Sequence, residues 1–218
     1  MSWDNVKPAN SNTSSEVEYF KPQEGIQVIR ILDDEPYSRF VHWIPSANNG
    51  KGVSIDCIGA GCPVCEEIAR QKASGIKQPT FNRRMVHSIN ICVKQIGTEK
   101  QETLKAVVLE KGNNVFVPIK DTMGFLAMQG LETDLTKVDL YITVTGKDKP
   151  VYSVQPLIPT FGTDCVITNE KYNCKELKPA LNREQILGLM NGKSLDDVVN
   201  TTETQEETTE RPDVLEFE

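Results

Sequence analysis

The chain has 218 residues, 38% of them hydrophobic, six cysteines and a formal net charge of −7. That is enough to bury a core without a disulfide framework, and no apolar run approaches the ~20 residues of a membrane span. The start, Met1-Ser2-Trp3-Asp4-Asn5, has neither the basic nor the apolar stretch of a signal peptide, so a soluble, intracellular protein is expected.

In chain order, residues 1–20 read as a flexible arm, rich in Ser, Asn and Thr and without apolar periodicity. A strand is predicted over 25–32, bounded by Pro22 and by Asp33-Asp34-Glu35-Pro36. A second apolar segment, 39–45, holds Phe40, His42 and Trp43. Residues 46–79 read as an insertion with loops at Asn48-Asn49-Gly50 and Gly59-Ala60-Gly61, and helix-forming residues at 66–72. The clearest strand is 86–94, where Ile89, Ile91 and Val93 alternate with Ser88, Asn90 and Lys94. Such alternation suits an antiparallel barrel. Cys92 lies on the face opposite the isoleucines and reads as a small apolar residue. A further strand follows at 104–109. A helix is expected over 118–129, with Ile119, Met123 and Leu126 on one stripe and Gly130 at its end. Leu140, Ile142 and Val144 then alternate with Tyr141, Thr143 and Thr145, and the chain turns at 146–150 into a strand over 151–155. Asn182 opens a short helix with Gln185 three residues on, the pattern of a capping box. The core thus spans 21–193, with a metal-bearing subdomain at about 42–80.

The charge is unevenly spread. Residues 194–218 carry nine acidic side chains and one Arg, a net −8, which leaves the rest of the chain near +1. This segment reads as a disordered acidic tail that recruits partners. Its tip, Asp213-Val214-Leu215-Glu216-Phe217-Glu218, sets apolar residues among acids, a composition suited to docking on a basic-rimmed pocket.

The strongest chemical signal is His42, Cys57, Cys62 and Cys65, spaced H-x14-C-x4-C-x2-C. Four soft ligands meet the need of a closed, tetrahedral, structural zinc site. His87 is the other histidine to weigh in place of His42; its position at the start of an alternating strand also fits a rim residue. Cys62-Pro63-Val64-Cys65 is alternatively a CPxC thiol-disulfide motif, but no βαβ pattern surrounds it. An enzyme is not expected. There is no P-loop, nucleophile elbow or HExxH, and His42 is followed by Trp43 and Ile44 rather than the x-E of a deaminase.

About five short strands with a helix between the third and fourth give a mainly β chain in the order of an OB-fold, which binds oligonucleotides on one barrel face. Such a face needs rings for base stacking and cations for phosphates. The candidates are Arg30, Tyr37, Arg39, Phe40 and Trp43 before the cysteine cluster, and Phe81, Arg83, Arg84 and Lys94 after it.

The run 19–25, followed by Val28-Ile29-Arg30-Ile31-Leu32, resembles the opening strand of phage single-stranded DNA-binding proteins of the T-even helix-destabilising type. His42-Trp43, Cys57 and Cys62-Pro63-Val64-Cys65-Glu66 resemble that family's zinc site of one histidine and three cysteines, and 134–156 is similar to its closing hairpin. The resemblance covers about 19–160. It implies an OB-fold with one structural zinc, binding of single-stranded DNA in replication, recombination and repair, and an acidic tail that recruits replication or recombination proteins. It implies no small-molecule substrate and no membrane, and a location in the cytoplasm, that of the host cell if the protein is phage-encoded. The family's basic N-terminal arm promotes cooperative binding. Here residues 1–18 hold Lys7 against Asp4, Glu16 and Glu18, which departs from that pattern. The other readings are a zinc-ribbon adaptor in transcription and a CPxC oxidoreductase.

Overall fold

In chain order the elements are β1 (Gly25–Ile31), β2 (Tyr37–Ile44), β3 (Val53–Asp56), α1 (Pro63–Ala73), β4 (Asn82–Lys94), β5 (Thr103–Leu104), β6 (Val107–Lys111), α2 (Asn113–Met128), β7 (Asp139–Thr145), β8 (Val151–Pro156), β9 (Val166–Ile167), α3 (Arg183–Met190) and α4 (Leu195–Asn200). The computed structural model describes residues 17–94, 103–146, 149–157 and 166–200. The chain is mainly β, with antiparallel pairing and a few short helices. It divides into two units, 1–37 with 87–177 and 38–86 with 178–218. No helix among the described residues is long and apolar enough to cross a membrane.

In the first unit the strand order is β6-β4-β1-β7-β8. The β1–β7 register sets Ile29 opposite Leu140, and the β1–β4 register sets Ile31 opposite Ile91. These residues, with Leu109 and Ile142, form the core that α2 covers with Val115, Phe116, Ile119 and Leu126. The two-residue β5 and β9 pair in parallel as a separate ladder. Residues 18–20, expected at the end of a flexible arm, run beside β6 instead. Phe20 N–H donates to the Val108 carbonyl at 2.8 Å, Val108 N–H donates to the Glu18 carbonyl at 2.8 Å, and the Phe20 side chain is buried.

Two expectations are corrected here. The 86–94 strand buries Ile89 and Ile91, but Val93 on the same face is exposed, and Ser88, Asn90 and Lys94 on the opposite, polar face are buried. That second face is covered, so each polar group has a partner, as buried polar groups must. Ser88 Oγ donates to Glu110 Oε2 at 3.1 Å. Asn90 Nδ2 donates to Asp33 Oδ2 at 2.8 Å and to the Tyr172 carbonyl at 2.9 Å. The second correction concerns α2, which begins at Asn113 and carries Pro118 inside it. Pro favours the first helical position, but burial of Val115 and Phe116 fixes the earlier start. Met123, placed on the buried stripe, is exposed; Thr122 is buried in its stead and donates to the Pro118 carbonyl at 2.9 Å.

In the second unit β2 pairs with β3, setting His42 opposite Ile55 and Trp43 opposite Ser54. The core gathers Ile44, Ile55, Val64 and Phe81 with Ile186 and Leu189 of α3. The capping box at Asn182 is present: Asn182 Oδ1 accepts from Gln185 N–H at 2.9 Å, and Gln185 Oε1 accepts from Asn182 N–H at 2.8 Å. The acidic segment does not begin as a bare tail at residue 194. Ser194 Oγ accepts from Asp197 N–H at 3.1 Å, α4 follows, and Val198 is buried. Residues 201–218, with the tip at 213–218, lie outside the described residues, as do 1–16 of the arm.

Candidate metal centre and aromatic surface

The four candidate ligands are delivered by two strands, a glycine turn and a helix start. His42 stands in β2 and is fully buried. Cys57 follows β3, and its N–H donates to the Phe40 carbonyl at 2.9 Å, which extends the β2–β3 ladder up to the thiol. Gly59 and Gly61 both take positive φ (77° and 74°), a backbone that side-chain-bearing residues rarely adopt. The turn brings Cys62 to the N-cap of α1 with Pro63 directly after it, the place where a missing N–H costs nothing. Cys65 then lies three residues on, in the first turn of the helix.

The donor atoms converge. His42 Nε2 is 3.5 Å from Cys62 Sγ and 3.4 Å from Cys65 Sγ, and Cys57 Sγ is 3.6 Å from Cys65 Sγ. All four lie within 4.8 Å of one another. Tetrahedral coordination at Zn–S of about 2.3 Å and Zn–N of about 2.0 Å gives edges of about 3.8 Å between sulphurs and about 3.5 Å from nitrogen to sulphur. The cluster has that size. The ring of His42 is oriented by its other nitrogen: Nδ1–H donates to the Asn82 carbonyl at 2.9 Å, which leaves the Nε2 lone pair facing the thiols. Burial lowers the His42 pKa and so favours the neutral, ligating imidazole; the Asn82 carbonyl opposes this and Arg83 adds to it. Burial, then the Cys57 hydrogen bond and the neighbouring thiols, push Cys65 up to about 12. The Cys65 thiol therefore resists ionisation until a cation sits beside it. The donor set therefore fits a metal ion, and these four residues can hold one.

His87, the other histidine weighed for this role, pairs elsewhere. Its Nε2–H donates to Asn113 Oδ1 at 2.7 Å and its ring lies 5.0 Å from that of Phe116.

The nine residues proposed for nucleic acid divide into four that are buried, one that is half-buried and four at the surface. Arg30 and Lys94 are buried against Asp139, at 2.6 and 2.9 Å. Arg39 is buried and its Nε donates to Asp56 Oδ1 at 2.9 Å. Phe81 belongs to the core of the second unit. These four are structural, because their charges or rings are already engaged inside the protein. Tyr37 is half-buried. At the surface remain Phe40 (38% exposed), Trp43 (41% exposed), Arg83 and Arg84. The Arg83 guanidinium carbon lies 3.7 Å from the centroid of the Phe40 ring, a cation–π stack.

Trp43 is held by contact with the β2–β3 loop. A Cβ built at Gly52, whose φ is +77°, would stand 2.2 Å from Trp43 Cζ2. Gly52→Ala is therefore expected to displace the indole and to destabilise the protein by about 1–3 kcal/mol. Thermal melting and the emission of Trp43 in a Trp3→Phe background measure both effects. A wild-type spectrum would show that the indole is not seated on Gly52.

Three features escaped the sequence. The Asn82 contact uses a backbone carbonyl, which no residue identity reveals. Asp139 gathers two cations from other strands. Arg183, far along the chain, donates to the Gly61 carbonyl and to both oxygens of Glu66, at 2.8 Å to Oε1 and 2.6 Å to Oε2. Its pKa is raised, by Glu66 first and by Cys62 least. No family model matches the chain, and no curated protein matches it in sequence.

Proposed function

We propose that this is a single-stranded DNA-binding protein of the phage helix-destabilising kind, with an OB barrel in the first unit and one structural zinc in the second. The observation that carries the reading is the exposed Phe40 ring stacked under Arg83, with Trp43 and Arg84 also at the surface of the metal-bearing unit. An exposed ring offers a base a stacking partner, and the adjacent guanidinium meets its phosphate. The order β6-β4-β1-β7-β8, with α2 between the third and fourth of these strands in sequence, supports the barrel. Three thiolates and one imidazole favour zinc among the common metals. Four protein donors leave no open position for catalysis, so the ion would be structural and the protein a binder rather than an enzyme. On this reading the chain coats single strands in replication, recombination and repair, in the cytoplasm of the host, and the acidic segment 194–218 recruits replication or recombination proteins.

The test is titration of the full chain with fluorescent oligo-dT beside a duplex of equal length. Single strands should bind more tightly than duplex, with an affinity that falls steeply with salt. Phe40→Ala should weaken binding by about 1–3 kcal/mol, the contribution of one stacked base. Arg84→Ala should reduce the log–log salt slope by roughly 0.7, the value for one phosphate contact on a single strand. Equal affinity for the two forms, or binding to neither, defeats the reading.

A further inference from the structure

Arg183 is the first residue of α3, and Glu66 lies in the first turn of α1. The two are 117 residues apart in sequence. Nη1 of Arg183 donates to the Gly61 carbonyl and to Glu66 Oε1, and Nη2 donates to Glu66 Oε2. Gly61 immediately precedes Cys62, and Glu66 immediately follows Cys65. One planar fork thus spans the two-thiol turn from end to end. The side chains of Arg183 and Glu66 are 48% and 54% exposed, so the ion pair alone adds little to stability. What it supplies is geometry. A guanidinium holds a carboxylate in a fixed bidentate plane, and here it also fixes the carbonyl of a glycine whose backbone is otherwise the least restricted in the turn. The fork is itself presented rigidly, because α3 is closed by the Asn182–Gln185 box and buries Ile186 and Leu189.

We infer that Arg183 is a positioning residue of the metal centre: it holds the turn from Gly61 to Glu66 in ligating shape and makes metal retention depend on α3. The inference rests on the reading of His42, Cys57, Cys62 and Cys65 as a zinc site. Partners just outside a metal's ligands commonly change metal affinity by about 10- to 100-fold, and an exposed one belongs at the low end of that range.

The experiment loads the full chain with zinc and follows its transfer to a chromophoric chelator. Arg183→Ala should release zinc about tenfold faster than the parent. Glu66→Gln, a change at an exposed carboxylate that leaves the Gly61 bond in place, should release it faster by a smaller factor. The double variant should be no faster than Arg183→Ala, since both changes remove one clamp. With cobalt in place of zinc, the ligand-field bands of Arg183→Ala should shift, a readout that a general loss of stability would not move. Parental release and parental bands in both single variants overturn the inference. A parent chain that takes up no zinc overturns the zinc reading itself, and the inference with it.

Discussion

If the four-residue cluster holds zinc as proposed, Cys62→Ser is expected to remove the metal and to unfold the second unit. Cys62 is buried and packs in the same core as Ile44, Ile55 and Ile186 while offering its sulphur to the centre. Serine replaces a soft thiolate with a hard hydroxyl that stays protonated and leaves only three ligands. A structural zinc contributes on the order of 10–16 kcal/mol of apparent binding free energy to the folded state. The whole stability of a domain is about 5–15 kcal/mol, so losing the ion exceeds what this unit can spare. Metal analysis should show about one zinc per parent chain and almost none in the variant, and the far-UV signal and melting temperature should both fall. Cys92→Ser is the control: Cys92 is equally buried but stands outside the four-residue cluster, and its zinc content should be unchanged. A Cys62→Ser protein that keeps a full complement of zinc would mean the four residues do not act as one site.

The cluster was legible because its members are rare residue types at short spacings, and because glycines and a proline mark the turn that joins them. The hairpin of β7 and β8 was legible for a similar reason, period-two alternation on either side of a turn. The Asn182 cap was legible because a box of two side chains three residues apart is a local device. The misreadings of β4 and of the basic stripe have one physical cause. Alternation tells which residues share a face; it does not tell whether the other face meets water. In β4 the residues opposite Ile89 and Ile91 lie under the 172–174 region and beside Asp139, so Asn90 and Lys94 are polar and buried together. A stripe of Arg and Lys read from sequence as a groove for phosphates is in part an internal charge network. Arg183 was illegible for a related reason. Nothing in its neighbourhood along the chain points to a metal turn 117 residues earlier; only the packing of α3 brings it there.

The internal network makes the second large prediction. Asp139 is 1% exposed and takes Arg30 Nε on one oxygen at 2.6 Å and Lys94 Nζ on the other at 2.9 Å. Arg30 faces Asp139 across the β1–β7 pair, and Lys94 stands opposite Val28 in the β1–β4 pair, so three neighbouring strands converge on one carboxylate. Asp139→Ala should cost about 3–5 kcal/mol, because it removes the buried carboxylate with which both Arg30 and Lys94 pair. For a chain of this length that corresponds to a melting temperature lower by roughly 10 °C. Asp139→Asn keeps an acceptor oxygen but not the charge, and should be nearly as harmful. Replacing all three, with Arg30→Met, Lys94→Met and Asp139→Leu, should recover most of the loss, since a buried ionic cluster and an apolar one of similar volume are often close in stability. Urea denaturation of the three proteins separates these terms. If Asp139→Ala instead costs less than about 1 kcal/mol, the two cations have turned outward to water. Arg30 and Lys94 would then be available to phosphates after all, and the variant should bind oligo-dT more tightly than the parent rather than equally well.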